Sequence, residues 1–223
     1  MAKVGVIGSG AFGSTMSEQL SRMKGIKLCI ISDIDPEKAK RTFELAGFHR
    51  SDIAETETSA AANLAIENNK PVVTRYADAL LNSDIDIVVD ATGIPEAGCE
   101  YAFKAIMNKK HIVMVNVEAD ALAGPILKRL ADNAGVVYSL AYGDQPALIK
   151  ELYDFAKSLN LNVIAAGKGT KYTPQFKRSK PEEALRHYRF TDDMIRALNP
   201  NAKMYNSFID GTKSAIEMVA VSN

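Results

Sequence analysis

Six residues near the amino terminus, Gly8-Ser9-Gly10-Ala11-Phe12-Gly13, carry the spacing G-x-G-x-x-G. Between a strand and a helix this pattern cradles a pyrophosphate. The first glycine makes the tight turn, the second lets the backbone approach the anion, and the third packs helix on strand. The helix start adds unpaired N–H groups and the positive end of the peptide dipole. Asp33 stands 20 residues beyond Gly13, where a carboxylate accepts the hydroxyls of an adenosine ribose and repels a 2′-phosphate. That favours NAD, while Ser32 and the helix after it leave NADP open. Asp35 precedes Pro36 and reads as a helix N-cap.

The elements needed to hold these groups are legible around them. Lys3 to Ile7 and Lys27 to Ile31 are apolar strand-like runs, with a helix-like stretch from Ala11 to Met23 between them. Further strands are expected at Val72–Thr74, Ile85–Val89, Ile112–Val115 and Val136–Leu140, and helices at Pro95–Met107 and Ala119–Ala134. The strands are apolar without strict alternation, which predicts burial on both faces of a parallel sheet. Strand–helix repetition of this kind predicts an α/β, Rossmann-type doubly wound domain over residues 1–141. Residues 49–70 read as an extra surface helix. Asp90-Ala91-Thr92-Gly93 and Asn116-Val117-Glu118 close two of the strands at the carboxyl edge, where ligands bind in this topology. Ala91, Thr92, Gly93 and Asn116 are therefore expected beside the nicotinamide, although Thr92 also suits an ordinary turn.

Residues 142–223 read as a second, smaller α/β domain, with a helix from Ala147 to Ser158, a strand from Asn162 to Ala166 and a helix from Asp210 to Val221. No Pro, Gly or charged cluster closes that last helix, so this domain is expected to be incomplete. Seven basic residues lie between Lys168 and Arg189 against Glu182 and Glu183. Lys168, Lys171 and Lys203 are candidate phosphate ligands, the first with room to approach an anion between Gly167 and Gly169.

Composition limits the remaining classes. The 223 residues are 47% hydrophobic, enough for a core, and 27 basic residues balance 27 acidic ones. A whole-molecule field for nucleic acid is thus not expected. The two cysteines, Cys29 and Cys99, show no metal or disulfide spacing. The start has no signal-peptide pattern, and no apolar run approaches the ~20 residues of a membrane helix. A cytoplasmic protein without a membrane partner is expected.

Longer strings add a resemblance. Val115-Asn116-Val117-Glu118-Ala119-Asp120, Tyr142 to Ala147, Ala165 to Tyr172, Asn201 to Phe208 and Asp210 to Met218 resemble the homoserine-dehydrogenase-like oxidoreductases. Within them, the chain is most similar to the 1-deoxyxylulose-5-phosphate reductoisomerase-like, SAF-domain-containing enzymes. The resemblance implies a nicotinamide domain, a catalytic domain with a mixed sheet, and usually a further C-terminal module. It implies reduction and rearrangement of 1-deoxyxylulose 5-phosphate to methylerythritol 4-phosphate, and a homo-oligomer acting on a small phosphorylated molecule. It also makes Lys213 the acid and Asp210 its partner, on one helical face at i,i+3. Homoserine dehydrogenases carry Ala-Asn-Lys after the fifth strand, whereas this chain has Asn116-Val117-Glu118. The missing lysine argues against homoserine as the substrate. A nucleotide-binding sensor without turnover is the non-enzymatic alternative. Glu118 and Asp144, with Gln145 and Asp210, could supply oxygen ligands to Mg²⁺ or Mn²⁺. His49, His111 and His187 have no ligand spacing.

Overall fold

Neighbouring residues of one strand point to opposite faces of a sheet, and here both faces are buried. Ile30, Val72 and Val88 join one apolar cluster, while Ile31, Val73 and Val89 join another across the sheet. Each such side chain contributes about 1.5–3 kcal/mol when fully removed from water. The computed structural model describes residues 1–170 and 172–223. It divides into two compact units, Met1–Asp144 and Gln145–Asn223.

The first unit is a seven-stranded parallel sheet in the order β3-β4-β2-β1-β5-β6-β7. Its strands are β1 (Ala2–Ile7), β2 (Ile26–Ser32), β3 (Ala54–Glu55), β4 (Val72–Thr74), β5 (Ile87–Asp90), β6 (His111–Met114) and β7 (Tyr138–Leu140). Helices α1 (Ala11–Arg22), α2 (Pro36–Leu45), α3 (Ser59–Glu67), α4 (Ala77–Leu81), α5 (Pro95–Met107) and α6 (Val117–Ala134) connect them. The expected doubly wound α/β architecture is present. Asp35 caps α2, accepting from the Glu37 N–H at 3.1 Å. Residues 49–70 differ from expectation: they hold a 3₁₀ turn at Arg50–Asp52, the strand β3 and the helix α3. α3 is not wholly a surface element, since it buries Ala62 and Ile66. β3 has two residues and exists only by pairing with Val72 and Val73.

A buried polar pair ties α6 to β7. The Tyr138 hydroxyl donates to Asp120 at 2.8 Å, and Gly124 makes space for that carboxylate, because a Cβ there would lie 2.5 Å from Asp120 Oδ1. Burial pushes the Asp120 carboxyl above its usual range, and the Tyr138 hydrogen bond opposes the shift.

The second unit contains α7 (Gln145–Ser158), α8 (Pro181–His187), α9 (Asp192–Leu198), α10 (Ala202–Ile209) and α11 (Thr212–Ser222). Tyr205 is its aromatic hub, with ring centroids 5.0 Å from Tyr188, 5.2 Å from Phe190 and 6.1 Å from Phe208. The expected strand at Asn162–Ala166 is not formed. Among the described residues this unit has no strand at all, so the extended run has no ladder to join and the unit is helical rather than α/β. Among the described residues of the chain, no helix is long and apolar enough to cross a membrane.

Candidate functional site

The glycine turn lies at the carboxyl end of β1. Gly8 has φ +100°, a conformation that costs glycine little, and its N–H donates to the Ser32 carbonyl at 2.8 Å. Gly13 lets the first turn of α1 fold back onto Gly8: a Cβ there would stand 1.9 Å from the Gly8 carbonyl oxygen. Gly10, by contrast, has nothing within 4 Å of a Cβ position. It is the N-cap of α1 and supplies no side-chain acceptor. Ala11 and Phe12 begin that helix with exposed side chains. The Ser9 hydroxyl is buried with no hydrogen-bond partner among the described residues. Open space over Gly10, an uncapped helix start and an orphaned hydroxyl fit an anionic nucleotide bridge.

Asp33 follows β2 and turns its carboxylate back to this loop. Oδ2 accepts from the Ser9 N–H at 2.6 Å, and Oδ1 from the Asp35 N–H at 2.9 Å. On the other side of β1, the end of β5 meets the same turn, since a Cβ on Gly8 would lie 2.8 Å from the Ala91 carbonyl oxygen. The strand order thus places Asp33 and the Ala91–Gly93 segment on opposite flanks of the glycine turn.

Under that segment lies a cluster built on Asp90, a residue without a role in the sequence reading. Its side chain is buried, and burial raises its pKa against the pull of Thr92 and Asn116. Oδ1 accepts from the Thr92 N–H at 3.1 Å and the Thr92 hydroxyl at 2.7 Å. Oδ2 accepts from the Asn116 amide at 3.0 Å. Gly98 on α5 closes over the pair; a Cβ there would be 2.5 Å from Asp90 Oδ2 and 2.4 Å from Asn116 Nδ2. A glycine inside an amphipathic helix was the available sequence signal for such a close approach.

The expected metal ligands are not gathered into a cluster among the described residues. Glu118 is in the first turn of α6 and Asp144 follows β7. A divalent cation needs several converging oxygens, and among the described residues no group of three or more His, Cys, Asp or Glu side chains could hold one.

In the second unit the expected Asp210–Lys213 helical face is not formed. Gly211, at φ +89°, separates α10 from α11. Asp210 is the C-cap of α10 and Lys213 the second residue of α11. Asp210 accepts from the Thr212 N–H at 2.8 Å and the Asn206 amide at 2.9 Å. Lys203 is exposed near the start of α10. Lys171 lies outside the described residues. The ammonium of Lys168 forms an ion pair with Glu217, a buried residue that the sequence reading passed over. Glu217 follows Lys213 by one helical turn on α11, so both belong to one face. Its signal was a lone carboxylate in the apolar run Ala215-Ile216-Glu217-Met218-Val219-Ala220.

Comparison with known families decides the class. Residues 8–140 match the family model described as "Homoserine dehydrogenase, NAD binding domain". The chain belongs to that family. Residues 143–223 match a second model, "Oxidoreductase DRL, catalytic domain". The chain is accordingly a member of the nicotinamide-dependent oxidoreductases with a Rossmann domain. No curated protein matches it. Among solved structures it is similar to scyllo-inositol dehydrogenase from Lactobacillus casei with bound NAD(H) and scyllo-inositol. Identity is 16% and the TM-score 0.50, over 70% of this chain and 42% of that one. It is also similar to GenD2 from gentamicin A biosynthesis in complex with NAD, at 18% identity and TM-score 0.48 over 70% and 40%. The chain thus spans about two fifths of the length of these structures, and at such identities the likeness concerns the fold.

Proposed function

We propose that this chain reduces the carbonyl of a small phosphorylated substrate with a nicotinamide dinucleotide, and that 1-deoxyxylulose 5-phosphate is the substrate to try first. The observation that carries the reading is the Gly8–Gly13 turn, whose open face over Gly10 suits a pyrophosphate. When bound, the nicotinamide supplies the hydride. The chain's own residues do the rest. Backbone N–H groups at Gly10–Gly13 hold the pyrophosphate, and Asp33 accepts the ribose hydroxyls. Ala91, Thr92 and Gly93 border the nicotinamide, with Asn116 buried beneath them. Lys213 delivers the proton to the carbonyl oxygen, where charge develops during reduction. Lys203 attracts the substrate phosphate. Lys168 keeps its charge on Glu217 and so acts within the fold.

The test is absorbance-monitored oxidation of NADH and NADPH with 1-deoxyxylulose 5-phosphate, and with aspartate semialdehyde as the comparison. Turnover with the sugar phosphate that is lost in Lys213→Ala supports the reading. Turnover with the semialdehyde alone moves the chain to homoserine chemistry. Nucleotide binding with no turnover on either compound overturns the substrate assignment and favours a sensor.

Asp33 gives a separate prediction. Asp33→Asn removes the charge that repels a 2′-phosphate and that accepts both ribose hydroxyls. NADH affinity is expected to fall about tenfold, equivalent to about 1.4 kcal/mol, while NADPH affinity holds or improves. Fluorescence titration of both nucleotides measures this, and an unchanged NADH/NADPH ratio contradicts the assignment.

A further inference from the structure

The turn after β5 is organised by side chains that keep their polar groups to themselves. The Thr92 hydroxyl donates to Asp90, and its oxygen lies 3.2 Å from the Asn116 amide nitrogen. That same amide also donates to the Ile94 carbonyl at 3.0 Å, and the Asn116 side-chain oxygen accepts from the Ala119 N–H at 3.1 Å. The hydroxyl proton of Thr92 and both amide protons of Asn116 are therefore committed inside the cluster. What the cluster presents outward is backbone: Gly93 is exposed at φ +66°, with nothing within 4 Å of a Cβ position.

We propose that Asp90 is a positioning residue for the nicotinamide half of the dinucleotide, fixing the Thr92–Gly93–Ile94 backbone through Thr92 and Asn116. Three observations support it. The carboxylate is buried beneath Gly98, so it cannot touch a ligand itself and acts only through its neighbours. Its hydrogen bonds reach both strand ends at this edge, β5 through Thr92 and the segment after β6 through Asn116. Ala91, between Asp90 and Thr92, abuts Gly8, which sets the distance from this turn to the pyrophosphate seat. Asp33 lies on the opposite flank of the glycine turn. A dinucleotide with its adenosine at Asp33 therefore runs its other half past Thr92. Loss of one of these hydrogen bonds leaves its partner unsatisfied and frees the turn.

The inference rests on the nucleotide reading above, and its test separates the two. NADH and ADP-ribose, which lacks the nicotinamide, are titrated calorimetrically into the full chain and into Thr92→Val, Thr92→Ser, Asp90→Asn and Asp33→Asn. Thr92→Val and Asp90→Asn are expected to weaken NADH about tenfold or more and to leave ADP-ribose within about twofold. Thr92→Ser, which keeps the hydroxyl, retains wild-type affinity for both. Thr92 is only partly buried, so its variants report even where Asp90→Asn fails to fold. Equal weakening of both ligands would assign the cluster a purely structural role and overturn the proposal. So would unchanged NADH binding in Thr92→Val, while loss in Asp33→Asn left the nucleotide site standing. A wild-type chain that binds neither ligand defeats both readings.

Discussion

Gly13→Ala is expected to abolish dinucleotide binding and to lower the melting temperature, whereas Gly10→Ala weakens binding and leaves the melting temperature unchanged. The contrast follows from what each new methyl group meets. At Gly13 the Cβ would stand 1.9 Å from the backbone oxygen of Gly8, and that oxygen cannot swing aside like a side-chain tip. Either α1 moves off the sheet or the turn changes shape. Overpacking of this kind costs about 1–3 kcal/mol and occasionally more. A chain of this size loses roughly 2–4 °C per kcal/mol. At Gly10 the Cβ meets no protein atom within 4 Å, so the folded chain accepts it, and the methyl occupies space over the helix start that a pyrophosphate needs. Thermal melts with calorimetric titration of NADH read both quantities. Full NADH affinity in Gly10→Ala would refute pyrophosphate seating over that residue. An unshifted melt in Gly13→Ala would refute the close packing of α1 on β1.

The second large effect concerns the helical unit. Lys168→Met is expected to destabilise it by about 2–3 kcal/mol, because removing one partner of a buried ion pair strands the other charge away from water. The estimate sits below the upper range for buried pairs because the Lys168 side chain keeps 23% of its exposure, against 3% for Glu217. Replacing the pair by apolar groups, as in Lys168→Met with Glu217→Leu, should recover most of the loss. Urea denaturation of the full chain, followed by the fluorescence of its tyrosines, measures both variants. A Lys168→Met chain as stable as wild type, or a double variant weaker than Lys168→Met, contradicts the pairing as the source of stability. The result also bears on function. A lysine that holds the Gly167–Gly169 loop to α11 is a structural fastener, which leaves Lys213 as the proposed acid.

Much of the nucleotide half of the molecule was legible in the residue string, because its determinants are local. The φ requirement of Gly8, the 20-residue interval to Asp33 and the apolar runs of β1, β2 and β4 are properties of neighbouring residues. Helix starts announced themselves too, through Pro36 and Pro95 at first turns. Even the break at Asp210-Gly211 was written as a turn dipeptide, although helical spacing across it suggested one continuous face. Tertiary structure decided the rest. β3 is two residues long and becomes a strand only because β4 offers an edge. Asn162–Ala166 has strand-like residues, but among the described residues its unit offers no strand to pair with. The buried carboxylates Asp90, Asp120 and Glu217 are held by Thr92 and Asn116, by Tyr138, and by Lys168. Three of those partners lie 18 or more residues away. Periodicity reports which face of an element is buried, since that depends on the element's own geometry. It carries no record of which distant group comes within 3 Å, and a buried charge is tolerated only when such a group arrives.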